Sequence, residues 1–421
     1  RPSRRPPKPS ATKGAGWKPK GSDEHAVAEA VAFAKAAERD HYSEPRAVDR
    51  FLRRGTEAFL RKDYEAARRI FHALLPPIAV ADIDLGQDEM ADEVLTVDVG
   101  QCAARYVVST YMTADPGHRP DAVHAAILAA GDLGLFWEPI AEMEGVAVEP
   151  LPDLGGFLPR WRALVEKEAS GGASRGGWES DGDRWMREVV RRLEGTNGLA
   201  ARARATRRGE DLRAWCRALV EARDWKAALA AFEEAAEAVR DEAHWRGSFL
   251  DGAALAAREL GRRDLPSRFE RAWRASPTLL RLRRWLGAAR TAARMRKAAA
   301  EALEACPKRD ERQRAFLNMV AGDLGAAAKW LSMAPGLGWS SPEHPGHLVF
   351  PLFVELLGDG DSRVGSGRRP SPVRSLDLDE LESMTADPDE PRLQAPEAAV
   401  ILEAAGVQGP IRGEGRSAML A

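Results

Sequence analysis

The chain has little of what usually marks chemistry at a glance. It has three cysteines, Cys102, Cys216 and Cys306, widely separated and never in a CxxC spacing. That argues against a disulfide framework and a cysteine-based zinc site, and for a reducing compartment, the cytoplasm. Long apolar runs are missing as well. The longest, His347 to Leu357 (HLVFPLFVELL), is too short to span a bilayer and contains Pro351 and Glu355. The basic start is not followed by an apolar segment, so it does not read as a signal peptide. β-branched runs are rare, which leaves little room for sheet. An excess of one charge sign is missing too. Lys and Arg total 62 against 64 Asp and Glu, for a net charge of −2, so no global field draws the chain to nucleic acid. Only 11 of the basic residues are Lys, which we read as a compositional bias toward Arg and not as phosphate recognition. There is no GxSxG motif, and no GxGxxG follows a strand. Gly358, Gly360, Gly365 and Gly367 lie in a strandless acidic stretch. No catalytic or cofactor motif survives, and the expectation is a non-enzyme.

What remains is material for helices. Ala, Leu, Glu and Arg dominate a chain of 421 residues with 44% hydrophobic and 30% charged positions. These residues lose little side-chain freedom in a helix. The length is too great for one compact core. The expected fold class is therefore all-α, in two lobes with disordered termini.

Residues 1–20, RPSRRPPKPSATKGAGWKPK, carry seven positive charges and no acid, and read as a disordered basic tail. Residues 21–168 form an expected N-terminal helical lobe. Within it Pro76 and Pro77 should stop a helix, another should run from about Glu89 to Met112, and Pro120 should open one that ends near Gly131. The Gly- and Ser-rich stretch 169–184 reads as the internal boundary. The C-terminal lobe, 185–357, opens with Trp185, Met186, Val189, Val190 and Leu193 on one helical face. Ser276 and Pro277 read as an N-cap and first-turn proline for a long helix reaching Cys306. Residues 358–421 read as a mostly disordered acidic tail with a short helix near 396–405.

Two segments align without a gap over 24 residues. One runs from Phe51 through Gly55, Asp63, Tyr64, Ala67 and Phe71 to Leu74. The other runs from Leu212 through Cys216, Asp224, Trp225, Ala228 and Phe232 to Ala235. Each reads as a helix, a tight turn at the Asp and a second helix. The aromatic after the Asp and the later Phe lie two helical turns apart, and the small residue sits where the helices approach most closely. A third candidate carries Gly322, Asp323, Leu324 and Ala327, and a fourth, Gly261 to Asp264, keeps only the turn. The pattern resembles the tetratricopeptide repeat. The resemblance implies an α-solenoid of helical hairpins, although the period of that family is not sustained along the chain. A second resemblance is to the helical region that follows the SWIM zinc finger in some bacterial proteins. It rests on the order of features from Phe51 to Lys167, the acidic LGQDEMADE stretch and RAWRASPTLLRLRRWLGAA. The zinc motif of that family is absent, so no metal ligand is carried over.

Other constellations weigh less. Asp82, Asp84, Asp88 and Glu93 occupy four positions of a calcium-loop template, but Gly86 and Gln87 depart from it, and an acidic lead into a helix N-terminus explains them. Glu343, His344 and His347 are not HExxH, since Pro345 and Gly346 forbid a regular helical turn. Residues 336–339 (GLGW) suggest a pocket, but no phosphate-loop Lys follows. Arg281, Arg283, Arg284, Arg290, Arg294, Arg296 and Lys297 form a possible basic patch, equally readable as a solvated face paired with Glu301 and Glu304. Trp185, Trp215, Trp225, Trp273 and Trp330 sit on apolar faces and read as core. The expected function is a cytoplasmic scaffold or adaptor that holds another protein in a helical-repeat groove, without cofactor or metal. The alternative is a nucleic-acid-associated accessory protein using residues 1–20 and the helix at 281–297.

Overall fold

The computed structural model describes residues 24–86, 91–171, 179–289 and 291–334. The basic tail, the acidic tail with its expected 396–405 helix, the 336–339 stretch and Glu343, His344 and His347 lie outside these. The described residues are all-α: helices, one 3-10 turn and a single isolated bridge between Tyr42 and Asp84, with no strand among them. Among the described residues no helix is long and apolar enough to cross a membrane. The chain divides into two compact units at Ala222–Arg223. The Gly/Ser-rich stretch at 169–184 therefore falls within the first unit.

The first unit holds α1 (Glu24–Asp40), α2 (Pro45–Leu60), α3 (Tyr64–Ala79), α4 (Ala91–Val94), α5 (Val99–Thr113), α6 (Arg119–Ala130), α7 (Pro139–Val146), α8 (Leu154–Gly171), α9 (Asp181–Thr206) and α10 (Gly209–Glu221). Successive helices pack on one another, α2 on α3, α5 on α6, α8 on α9 and α9 on α10, and α3 also packs against α1 and α5. The core is aromatic. Phe33 stacks on Phe51, and the rings of Tyr111, Phe157, Trp161 and Trp185 follow one another at 5.1–5.7 Å. The second unit holds α11 (Trp225–Ala238), α12 (Ala243–Glu259), α13 (Leu265–Ala275), α14 (Leu279–Gly287), α15 (Ala292–Ala305), α16 (Glu311–Ala321) and α17 (Leu324–Met333), each packed on the next. Phe269, Trp273, Leu282, Trp285, Met295 and Phe316 join α13 to α16 in one cluster. The Trp273 indole N–H donates to Gln313 Oε1 at 2.8 Å, which satisfies the one polar atom that ring buries.

Several expected boundaries move, each for a local reason. α3 does not stop at Pro76 and Pro77 but continues to Ala79. Each proline removes one amide bond to the turn before it, and the burial of Leu74, Leu75, Pro77 and Ile78 in this last turn offsets that loss. The single helix expected over Glu89–Met112 is instead α4 and α5, separated by a loop at 95–98. The long helix expected from Ser276–Pro277 to Cys306 is broken in two. Thr278 rather than Ser276 caps α14, accepting from the Arg281 amide, and Thr291 caps α15 by accepting from the Arg294 amide. Leu193, expected in the core, is 37% exposed. It ends the turn before Gly195, whose φ of 61° and ψ of −152° bend α9 away from its earlier course. Trp185, Trp215 and Trp273 are buried, whereas Trp225 and Trp330 are only half-buried.

Helices α2 and α3 approach one another closely at Gly55. A Cβ there would lie 2.8 Å from Phe71 Cε1, and the Phe71 side chain is fully buried. Glycine in a helix costs up to about 1 kcal/mol relative to alanine, so its presence reflects this contact. We therefore expect Gly55→Ala to destabilise the chain by about 1–3 kcal/mol from overpacking, despite its better helix propensity. In a Phe71→Leu background the same change should become neutral or stabilising. Denaturant titration of the four species checks this, and a stabilising Gly55→Ala in the wild-type background would contradict it.

Candidate functional site

The repeated element is built around three aspartates. Asp63, Asp224 and Asp323 each cap the helix that follows, accepting on Oδ1 from the amide three residues on, at 3.2, 3.0 and 2.9 Å. Each carbonyl also accepts the next amide, that of Ala67, Ala228 and Ala327. The residue before each Asp is left-handed: Lys62 at φ 63°, Arg223 at φ 55° and Gly322 at φ 91°. The Asp backbones agree closely, with φ/ψ of −84°/70°, −82°/73° and −91°/82°. Three distant segments thus make the same turn: a left-handed residue that closes one helix, followed at once by a carboxylate that opens the next. The fourth candidate departs from it. Gly261 is left-handed at φ 66°, but two arginines follow before Asp264, which makes no side-chain cap.

At the first turn the side chains do what the alignment implies. Ala67 and Phe71 are fully buried, and Phe59 meets Tyr64 edge-on at 5.5 Å. The Tyr64 hydroxyl donates to Glu149 Oε1 at 3.0 Å, and Lys62 Nζ lies 2.5 Å from Glu149 Oε2. Burial, then the neighbouring Glu149, pushes the Tyr64 hydroxyl well above its usual range. Cys216, Ala228 and Phe232 are buried in their own units, and Trp225 is half-buried.

Acids that sequence reasoning passed over hold other joints. Asp49 of α2 is 6% exposed and accepts from the amides of Thr96 and Val97 at 3.1 and 3.2 Å, which pins the loop between α4 and α5. Glu188 of α9 accepts from the Ile140 and Ala141 amides at 3.1 and 2.7 Å, so it caps α7 from another helix. Arg192 Nε reaches the same carboxylate at 3.2 Å. Burial pushes the Glu188 carboxyl up to about 7, although both amides and Arg192 pull it down. The signal for both was an acid standing in an apolar helical stripe, Asp49 among Val48, Phe51 and Leu52 and Glu188 among Trp185, Val189 and Val190.

A cleft of about 430 Å³ lies between α8 and α9, with Arg162, Asp183, Glu194, Arg202, Thr206 and Arg208 in its wall. Its charges compensate one another. Arg202 lies 3.1 Å from Asp183 and 3.0 Å from Asp211, Arg208 lies 2.7 Å from Asp183, and Arg162 pairs with Glu194. For Asp183, burial opposes ionisation, but hydrogen bonds from Arg208 and Ser180 outweigh it and hold the carboxyl below its usual range. These are the bonds of an internal ion network, which the Thr206 hydroxyl joins by donating to Asp211 Oδ2 at 2.8 Å.

The seven residues of the expected basic patch do not form one stripe. Arg281 is buried and donates to the Ser276 carbonyl and Ser248 Oγ, both at 2.8 Å, and its burial lowers its pKa. Arg284 pairs with the buried Asp251, its own side chain 8% exposed. Arg283 is half-buried and Arg290 lies outside the described residues. Only Arg294, Arg296 and Lys297 are exposed, all on α15, with Lys297 3.9 Å from Glu301. Of the calcium-loop acids, Asp84 instead accepts the Gly86 amide at 2.7 Å, and Asp88 lies outside the described residues. Among the described residues no group of three or more His, Cys, Asp or Glu is placed to hold a metal ion.

No protein-family model, curated protein or solved structure matches the chain.

Glu188 makes the pH dependence testable. Its folded pKa lies above the ordinary 4.5, so between about 4.5 and 7 the folded chain holds more protons than the unfolded one. Stability from this group must then fall as pH rises through that window and level off above it. The difference in unfolding free energy between wild type and Glu188→Gln should follow that slope. A difference that stays flat or rises with pH would show that the amides and Arg192, not burial, dominate.

Proposed function

We propose that the chain is a cytoplasmic protein-binding scaffold built from tetratricopeptide-like helical hairpins, which holds a partner by shape and apolar contact and performs no chemistry itself. The observation that carries this reading is the recurrence of one turn geometry at Asp63, Asp224 and Asp323, the first two in segments that share the repeat's small and aromatic positions and the third in one that keeps the small position with Leu324 and Leu331 in place of the aromatics. Stacked hairpins of this kind offer extended surfaces to peptides and partner helices. The compensated charges of the α8–α9 cleft fit a structural role better than a catalytic one. The three cysteines are buried and none is joined to another in a disulfide, which accords with a reducing compartment.

The anchor side chains fall in the first unit. Leu128, Leu135 and Trp137 are 63%, 70% and 43% exposed, and Leu135 and Trp137 flank the buried Phe136 on one short connection. Exposed Trp and Leu of this kind are typical contact residues at protein interfaces. A nucleic-acid reading retains the exposed Arg294, Arg296 and Lys297 and the basic residues 1–20.

The full chain, immobilised and exposed to lysate of its source, should retain a defined protein through nuclease treatment and high salt. A Leu135→Asp/Trp137→Ala variant of unchanged helicity should lose it. Retention that disappears with nuclease or salt, and that deletion of residues 1–20 abolishes, would overturn the scaffold reading in favour of nucleic acid.

A further inference from the structure

Beyond its first turn, helix α6 is apolar on every side but for His124. Val123, Ala126, Ile127 and Ala130 are buried against its neighbours. Ala125 and Leu128 are exposed, and Ala122 and Ala129 are half-buried. At 3.6 residues per turn these last four share one side of the helix, turned away from the buried four. A helix that is apolar all round normally lies inside a core, yet this one leaves a side to solvent. The connection that follows adds Leu135 and Trp137, also exposed. It is firmly held. The Phe136 carbonyl between them accepts the Trp185 indole N–H at 2.6 Å, and Glu188 fixes the Ile140 and Ala141 amides just beyond. Apolar side chains on a pinned connection have little freedom left to lose on binding.

The charge along this stretch has one sign. From Arg119 to Val146 there are five acids and a single arginine. That arginine, Arg119, is buried and donates to the Tyr111 and Pro152 carbonyls. Asp121, Asp132 and Glu138 are exposed and form no ion pair among the described residues. The nearby arginines of α9 are already engaged. Arg184 pairs with Asp181 and lies 5.8 Å over the Trp137 ring, and Arg192 reaches Glu144 at 2.9 Å and Glu188 at 3.2 Å. An apolar surface rimmed by unneutralised acids complements a partner that is apolar on one side and basic on the other. We propose that the outer side of α6, with Leu135 and Trp137, receives an amphipathic helix of the partner protein whose polar side carries Lys and Arg. Its apolar side meets Leu128, Leu135 and Trp137, and its basic side meets Asp121, Asp132 and Glu138. The small side chains of Ala122, Ala125 and Ala129 let a helix approach closely. This rests on the protein-binding reading above and adds to it the chemistry of the partner.

The probes are two fluorescent peptides of about five helical turns, which share one Leu/Ala side and carry either Lys or Glu on the other. Titrated with the full chain and followed by anisotropy, the lysine peptide should bind about tenfold or more tightly than the glutamate peptide. Asp132→Lys/Glu138→Lys should reverse that preference. Asp241→Lys/Glu304→Lys, at exposed positions of the second unit, makes the same change in net charge and should leave the preference as it was. Leu128→Gln, at an exposed position, should weaken the lysine peptide about tenfold with helicity unchanged. Equal affinity for the two peptides, or a preference that the second-unit reversal moves as far as the first, would overturn the proposal. The scaffold reading is decided separately by capture from lysate, and it survives that result with another surface and another partner. Sedimentation showing that the chain pairs with itself, and that Leu128→Gln abolishes the pairing, would give the face to a second copy and overturn the proposal as well.

Discussion

A carboxylate at a helix N-terminus, reached directly from a left-handed residue, sets the geometry of the recurring turn. A helix start leaves four amides without partners, and an aspartate one step before it satisfies one of them while its charge suits the positive end of the helix. Each such cap contributes roughly 1 kcal/mol. Its larger effect is on direction. At Lys62–Asp63 the left-handed residue ends α2 and the Asp begins α3 with no residue between them, so the angle between these two helices is set by two pairs of dihedrals. At Lys62–Asp63 those dihedrals bring α2 and α3 so close that only a glycine fits opposite Phe71. Lys62 and Arg223 adopt the left-handed conformation without being glycine, at a cost of about 1–2 kcal/mol each. The packing on either side of the turn must offset that cost.

The same chemistry recurs between helices that are distant in sequence. Asp49, Glu188, Asp211 and Asp251 are each 6% exposed or less, yet each is met by amides or by arginine side chains. Burying a carboxylate is costly unless its partners replace the lost water, and losing one partner typically costs 3–5 kcal/mol. These acids therefore act as joints. Glu188 ties α9 to the start of α7, Asp49 ties α2 to the loop before α5, and Asp251 ties α12 to α14. The cleft between α8 and α9 belongs to the same network through Asp183 and Arg202, which explains why its wall carries charge without offering a free one to a ligand.

The local part of this architecture was legible in the sequence and the non-local part was not. Asp63, Asp224 and Asp323 announce themselves because an N-cap and its turn span four or five consecutive residues. The alignment singled out the small position Ala67, whereas the contact of Gly55 with Phe71 shows only in the fold. Asp49 meets its amides 47 and 48 residues away and Arg284 meets Asp251 33 residues away, separations that leave no periodic trace. Hence Arg281 and Arg284 read as part of a solvated basic face, when Arg281 is buried and Arg284 is held in an ion pair with Asp251. The break between α14 and α15 was hidden for another reason. Ala and Arg favour helix throughout that stretch, and the single Thr291 that restarts the helix is a weak signal among them. The positions in the recurring turns thus rest on local rules, and the division of the chain at Ala222–Arg223 on packing that only the fold displays.

Native-state hydrogen exchange at three amides tests the role of the capped turn most directly. The amides of Ala66, Ala227 and Ala326 donate to Asp63, Asp224 and Asp323 and should exchange far more slowly than uncapped first-turn amides. Replacing one aspartate with alanine should release its own amide and destabilise the hairpin it opens, leaving the other two turns protected. If the three amides exchange as fast as those of uncapped helix starts, or if removing a carboxylate changes nothing at its turn, then the capped turn does not hold these hairpins.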